Sequence, residues 1–428
     1  MAATKKNKGI KTKLAAATLS LLGVTSLASA GEFEGLDIDT SVLYYQESDN
    51  RVTAIEPVLN IRKQFGEERF ANFKLVVDAL TGATPNGATP SNVPQTFTRP
   101  SGNGEYIVLP GETPLDDTFM DTRVALSGAW TQPIDRLTKM TVGANFSKEF
   151  DFSSAGINGS LSRDFNQRNT TLTFGLAGEF DLIEPEGGIP TPLAAMSPAG
   201  QPLARQGQDE SKTVIDAILG LTQVINRKTL MQINYSFSSS TGYHTDPFKL
   251  ISRIDEGTGK TDYVFENRPD TRTRHSLFWL IRYHLFRDIV GVSYRFFTDD
   301  WGILSHTVDM TYRLKLIDKH FLEPHFRFYQ QSEADFFQVG VNPNVPLPKE
   351  ASADYRLAKF NAITVGVTYG WDFRDASSLL LRLEYYMQDG DNGHDTAIGF
   401  QKNQDLCWLS RKITGSAAFR QWLATVKS

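Results

Sequence analysis

A single cysteine, Cys407, stands in a chain of 428 residues. That excludes an intrachain disulfide, a Cys-x-x-Cys zinc site and the Cys-x-x-Cys-His attachment of c-type haem. After Gly31 no apolar run approaches the ~20 residues that a membrane-spanning helix needs. Basic residues are outnumbered, 44 Lys and Arg against 49 Asp and Glu for a formal charge of −5, a balance unsuited to a dedicated nucleic-acid binder. Enzyme signatures are sparse as well. None of the seven histidines belongs to a His-Glu-x-x-His pair. Gly257-Thr258-Gly259-Lys260-Thr261 invites a phosphate-loop reading, but Ile254 stands where the first glycine is required, and no strand–loop–helix context surrounds it. His275 beside Ser276 and Asp270 is the one local grouping of hydrolase type, and such sites are defined by geometry, not by sequence proximity. The expectation is therefore no catalytic residue, no metal and no cofactor.

What the chain does have begins at its N-terminus. Lys5, Lys6, Lys8, Lys11 and Lys13 precede an apolar stretch from Leu14 to Leu27 and the small residues Ala28-Ser29-Ala30. This is the pattern of a secretory signal cleaved before Gly31. Loss of those lysines leaves a more acidic mature chain. Mean hydropathy is −0.30, yet 11% of residues are aromatic. A transmembrane barrel combines these two properties, because only every second side chain faces lipid.

Periodicity selects that class. Met120, Val124, Leu126 and Trp130 share one parity, while Asp121, Arg123, Ala125 and Ser127 hold the other. Leu172, Phe174, Leu176 and Phe180 alternate with Thr171, Thr173 and Glu179, and Leu379, Leu381, Leu383 and Tyr385 alternate with Arg382 and Glu384. Period two places such sets on opposite faces of a strand. Fifteen strands are predicted, near 33–46, 52–65, 68–82, 118–131, 137–150, 152–164, 168–182, 211–225, 228–240, 272–286, 289–298, 302–316, 320–331, 355–372 and 377–388. Alternate connections are short turns such as Asn166-Gln167, Asn226-Arg227 and Asp318-Lys319. Every long one, 83–117, 183–210, 241–271, 332–354 and the stretch after 388, falls in an odd position. Short periplasmic turns with longer external loops define a bacterial outer-membrane barrel. The expected fold is thus an all-β antiparallel transmembrane barrel of about sixteen strands over residues 31–405, with lipid and the barrel-assembly machinery as partners. Aromatic girdles are expected from Tyr44, Phe150, Phe152, Phe180, Tyr385 and Tyr386 at one rim and Phe65, Trp130, Phe286, Tyr369, Trp371 and Phe373 at the other. The long loops, rich in Gly, Pro, Thr and Asn, read as solvated coil.

Parity also sorts the charges. Arg272, Arg274 and Arg282 oppose Leu277, Trp279 and Ile281, and so face the lumen. Asp121, Arg123, Arg295, Asp309, Arg313, Lys315, Arg327, Arg382 and Glu384 have lumen parity on their strands. A charged wall can select anions in an open pore, or the same charges can pair and brace a closed barrel. Both readings stay open, the first giving passage of small polar solutes and the second an envelope scaffold.

The block Arg268-Pro269-Asp270-Thr271-Arg272-Thr273-Arg274-His275, followed by an aromatic strand, resembles a Gram-negative family known as domain of unknown function 3570. Ser352-Ala353-Asp354-Tyr355-Arg356-Leu357 and Ala362–Trp371 are similar to it too. The resemblance runs from the signal segment to about Asp405. It implies an outer-membrane barrel with no established activity. Genes of the family often neighbour those of a thioredoxin-like protein and a periplasmic flavin-attaching enzyme, which implies periplasmic redox proteins as partners. Residues 406–428 depart from the pattern: Arg411, Lys412, Arg420 and Lys427 stand there without an acid, and Ala417–Ala424 reads as a short amphipathic helix. The expectation is that the closing strand has been replaced, as by a shifted reading frame, and that the barrel closes poorly. A genuine strand near 405–413 with a helical tail is the alternative.

Overall fold

The computed structural model describes residues 35–48, 51–116, 120–255, 261–373 and 377–390, together with the backbone of 404–414. The signal segment at 1–30 and the helical tail expected at 417–424 lie outside these residues. Alternating sequences become fifteen long strands: β1 (Leu36–Glu47), β2 (Val52–Gln64), β3 (Phe70–Gly82), β4 (Met120–Pro133), β5 (Thr138–Lys148), β6 (Phe152–Phe165), β7 (Thr170–Ile183), β8 (Glu210–Asn226), β9 (Thr229–Gly242), β10 (Thr271–Leu285), β11 (Asp288–Asp299), β12 (Leu304–Ile317), β13 (His320–Gln331), β14 (Phe360–Asp372) and β15 (Ser378–Asp389). Each pairs antiparallel with its sequence neighbours, in one continuous sheet.

A further strand, β16 (Gln404–Thr414), bonds along its backbone to both edges of that sheet. Asp37–Glu47 of β1 pairs with Thr414–Gln404, and Ser378–Tyr386 of β15 pairs with Lys412–Gln404. The strand order therefore returns to its start as a closed barrel. This corrects the expectation of a lost closing strand. Backbone pairing does not depend on side-chain alternation, and an open edge in lipid leaves unsatisfied N–H and C=O groups on two strands at once.

The outer surface carries the apolar parity. Met120, Val124 and Leu126, then Leu172, Phe174 and Leu176, then Leu381 and Leu383 are all exposed. At the turn end Phe65 and Trp130 lie 5.5 Å apart, and Trp371 and Phe373 4.4 Å. Tyr386 leaves the expected girdle: it shares the inward parity of Arg382 and Glu384, and its hydroxyl donates to Gln388 Oε1 at 3.0 Å. Turns at this end are tight, and Asn166, Gln167 and Arg168 all adopt positive φ, between 50° and 67°.

One strand is shorter than predicted. Residues 355–357 form a 3-10 turn instead of opening β14, because the Asp354 carboxylate accepts from Arg356 N and caps it. The Asp-x-Arg cap outcompetes the alternation that had extended the strand to 355.

Candidate functional site: a capped lumen

Among the described residues, the long connections 83–116, 183–210, 241–271 and 332–354 are not solvated coil, which corrects the sequence reading. They pack on one another as a cap over one end of the barrel. Leu250–Ile254 pairs with Thr261–Phe265 antiparallel and with Gly340–Val341 in parallel, so two separate loops share one small sheet. Gln95–Thr98 and Glu105–Val108 form a hairpin in the first long loop, 83–116. Phe97, Ala88 and Val108 of that hairpin segment join Leu250 and Phe265 in one apolar cluster. Ile251, Val264, Val341, Ala351 and Ala353 form a second, and Trp301, Ile303, Ala334, Phe336 and Leu357 a third. Phe97, Ile251 and Val264 are fully buried, and each such side chain contributes about 1.5–3 kcal/mol of burial. Gly87, at φ +97°, lets the first loop touch the third, since a Cβ there would stand 2.4 Å from Leu250 O.

Ionic groups fasten the cap. Arg268 lies 2.6 Å from Glu266 and 2.8 Å from Asp354, and Arg356 reaches Asp246 at 2.9 Å as well as Asp354. Lys249 Nζ donates to Pro85 O in the first loop. Burial opposes ionisation of Asp354, yet Arg356, Lys249 and Arg268 together hold its carboxyl far below the ordinary range. Burial drives Glu266 the other way, with Asp246 and Asp354 adding to the rise and Arg268 opposing it. Two sequence blocks that resemble the family, 268–275 and 352–357, thus meet in one buried network.

Below the cap the barrel wall carries paired charges. Arg123 bonds Asp78, with Glu149 at 3.8 Å from its Nε. Arg272 Nε donates to Asp299 Oδ2 at 2.8 Å and its guanidinium stacks 4.2 Å from the Trp301 ring. Arg313 bonds Glu323 at 2.6 Å, and Lys315 lies 3.9 Å from Asp318. Arg295 packs over Phe278 at 5.5 Å. Arg282 is exposed on the face opposite Leu277 and Trp279. Asp121 lines a cavity of about 470 Å³ between cap and wall, with Arg99, Arg205 and Asp246. Asp270 acts through its backbone, accepting from Gly242 N at 2.8 Å, and Pro269 follows Arg268 into that turn.

A three-strand cluster was missed by sequence reasoning. His325, on β13, presents Nε2 to Asp309 Oδ2 at 2.9 Å and Nδ1 to Glu384 Oε1 at 2.5 Å. Arg327 donates to the same Asp309 oxygen at 2.9 Å, and Arg382 bonds Glu384. Both ring nitrogens thus lie within hydrogen-bond distance of a carboxylate oxygen. Glu384 reaches His325 across β14 because Gly366 stands between them in register. The inward parity of His325 beside Glu323 and Arg327 was the available signal; the bridging glycine was not visible as such.

His275 does not join Ser276. It carries the outward parity of Leu277, and its Nδ1 lies 2.8 Å from the hydroxyl of outward Tyr235. Adjacent residues on a strand point to opposite faces, so the hydrolase grouping never assembles.

An antiparallel barrel with an apolar outer band, aromatic rims and charged inner wall defines an outer-membrane β-barrel protein, and the outer membrane is where this chain resides. It belongs to the family described as "Protein of unknown function (DUF3570)", whose model matches residues 11–412. No curated protein matches the sequence. Among solved structures it is similar to a bacterial polysaccharide outer membrane secretin, at 7% identity and a TM-score of 0.45, covering 89% of this chain and 98% of that one. CdiB from Acinetobacter baumannii matches at 6% identity and 0.46, covering 89% and 60%. A mutant ferric enterobactin receptor from Pseudomonas aeruginosa, in complex with enterobactin, matches at 9% and 0.42, covering 84% and 55%. The chain spans little more than half the length of these last two.

Proposed function

We propose that the chain is a gated pore: a sixteen-stranded barrel whose charged lumen passes small polar solutes when its cap shifts. One observation carries this reading. Inward-facing residues toward the turn end, among them Arg282, His284, Arg313 and Lys315, are exposed, whereas Asp181, Ser240, Ser305 and Gln331 beneath the cap are buried. Exposed inward side chains at one end and a separately cored cap at the other support gating over permanent opening. Charged walls set the barrier that solutes feel inside such a lumen.

Conductance in planar bilayers tests it. Wild type is expected to give brief, infrequent openings. The double variant Glu266→Gln, Asp354→Asn leaves Arg268 and Arg356 without their buried partners, and is expected to open more often and for longer. Correctly inserted protein that stays silent in both forms would instead support a closed scaffold that docks envelope proteins, periplasmic redox proteins included.

A further inference from the structure

We propose that the pocket between the cap and the wall of β7–β11, bounded by Lys212, Arg268, Arg272 and Arg274, is a binding site for a small oxyanion of the phosphate class. The cavity measures about 270 Å³ and has no aspartate or glutamate among the residues that line it. That is enough for a phosphate group with a small substituent. The acids that neutralise its cations stand behind them: Asp181 is 3.0 Å from Lys212, Asp299 bonds Arg272, and Glu266 and Asp354 hold Arg268. What faces the cavity is therefore a surface of donors.

Two of those donors are left over. Among the described residues Arg274 has no carboxylate within ion-pair distance; its Nη2 donates to Ser238 Oγ at 2.9 Å, and its Nε is buried without a partner. The Tyr243 hydroxyl, also in the lining, is buried without a partner. Burial, with Glu266 and Asp246 nearby, raises the Tyr243 pKa, so this group keeps its proton to donate. A buried donor without an acceptor is destabilising, and an anionic oxygen in the cavity would relieve both at once.

The remaining side chains agree with that polarity. His244 Nδ1 lies 2.9 Å from Gly242 O, so this nitrogen carries the proton, and Nε2 accepts from Ser240 Oγ at 2.7 Å. Burial lowers its pKa against the opposing pull of the Gly242 hydrogen bond, and Lys212, Arg272 and Arg274 add to the fall, which favours the neutral ring. Trp301 closes one side, fixed by its Nε1 bond to Thr271 O at 2.8 Å. Arginine forks match oxyanion geometry with two parallel bonds. Donors arriving from β8, from β10 and from the two ends of the cap loop between β9 and β10 approach the space from different directions, which suits a tetrahedral anion better than a planar one.

The test uses the full chain refolded in detergent micelles and titrated calorimetrically with sodium phosphate, with chloride holding ionic strength constant. Saturable binding is expected, weakened at least tenfold by Arg274→Gln, several-fold by Tyr243→Phe, and unchanged by Arg295→Gln, which alters a lumen arginine outside the pocket. Parallel titration with glycerol phosphate separates a phosphate monoester, which then binds more tightly, from free phosphate, which binds at least as well. Should Arg274→Gln fail to fold, Tyr243→Phe decides, since it removes a single oxygen. Absence of saturable binding by folded wild type, or equal binding by the pocket variants, overturns the proposal. Binding in micelles is read whether or not the barrel conducts, so its failure leaves the gated-pore reading untouched.

Discussion

Arg268 and Asp354, 86 residues apart in the chain, meet with Nη2 and Oδ2 2.8 Å apart, and neither side chain is more than a tenth exposed. Breaking a buried pair outright costs about 3–5 kcal/mol, and less than that here, because Arg268 keeps Glu266 and Arg356 keeps Asp246. Asp354→Asn is therefore expected to loosen the cap while the barrel, whose stability rests on backbone pairing, persists. Limited proteolysis would cut within 83–116 faster than in wild type, with heat-modifiable gel mobility retained. Unchanged cleavage would mean that the apolar clusters alone hold the cap.

Orientation follows from loop length. In a Cys407→Ser background, cysteines placed at Asn103 or Asn344, in the long loops, should react with a membrane-impermeant reagent on intact cells. Cysteines at Asn226 or Lys319, in the short turns, should not. The opposite pattern would invert the topology.

The two faces should respond differently to charge. Leu381→Asp sets a carboxylate on the exposed apolar face and is expected to destabilise the barrel by less than the ~2–4 kcal/mol of a lipid-facing Arg or Lys at the midplane. Arg313→Glu breaks the pair with Glu323 but stays on the exposed inner wall, so under the gated-pore proposal it should alter ion selectivity more than stability. Urea-unfolding midpoints for the two variants, compared in liposomes, check this. Equal midpoints would contradict the assignment of faces.

Glu149, at the hairpin tip between β5 and β6, supplies a pH signature. Burial raises its carboxyl to about 7, with Asp121 adding to the rise and Arg123 opposing it. The folded state thus binds the proton more tightly than the unfolded chain. Its stabilising contribution is complete below the ordinary carboxylate range and is lost as pH rises through about 7. Melting temperatures at pH 5 and pH 8 should differ more for wild type than for Glu149→Gln. Identical differences in the two proteins would remove Glu149 from the account.

The sequence made the barrel legible and the cap opaque, for one physical reason. A lipid-facing strand must alternate over its whole crossing, so Leu172, Phe174 and Leu176 declare both their strand and its outer face. The cap has no solvent boundary of that kind. Phe97, Leu250 and Val264 are joined by pairings between loops, such as Ser252 with Gly340, and no local period encodes them. Proline and glycine that signal coil in isolation here shape tight contacts, as Gly87 does against Leu250. The family blocks at 268–275 and 352–357 were visible as motifs, but their meeting was not. Closure by 404–414 is not legible in alternation, because pairing requires only a free backbone.

Gly366 offers the sharpest test of the inner wall. It occupies the register position between His325 and Glu384, and a Cβ there would stand 2.7 Å from Glu384 Cγ and 2.9 Å from Leu383 O. Glu384 is buried, as is His325, so neither can retreat into solvent without losing the other. Gly366→Val would supply a β-branched residue that suits a strand locally while forcing Glu384 off the imidazole. His325 would keep Asp309, but Arg382 and Glu384 would have to move together. The expected outcome is a barrel that assembles, gains local strand propensity and yet loses about 1–3 kcal/mol, the cost of a buried hydrogen-bonding group left unmade. Glu384→Gln in the same background separates the causes. If the steric argument holds, Gly366→Val should cost much less once the carboxylate is gone, a coupling read by a double-mutant cycle of urea midpoints. Additive effects would mean that the valine acts on the Leu383 backbone and that the three-strand bridge contributes nothing measurable.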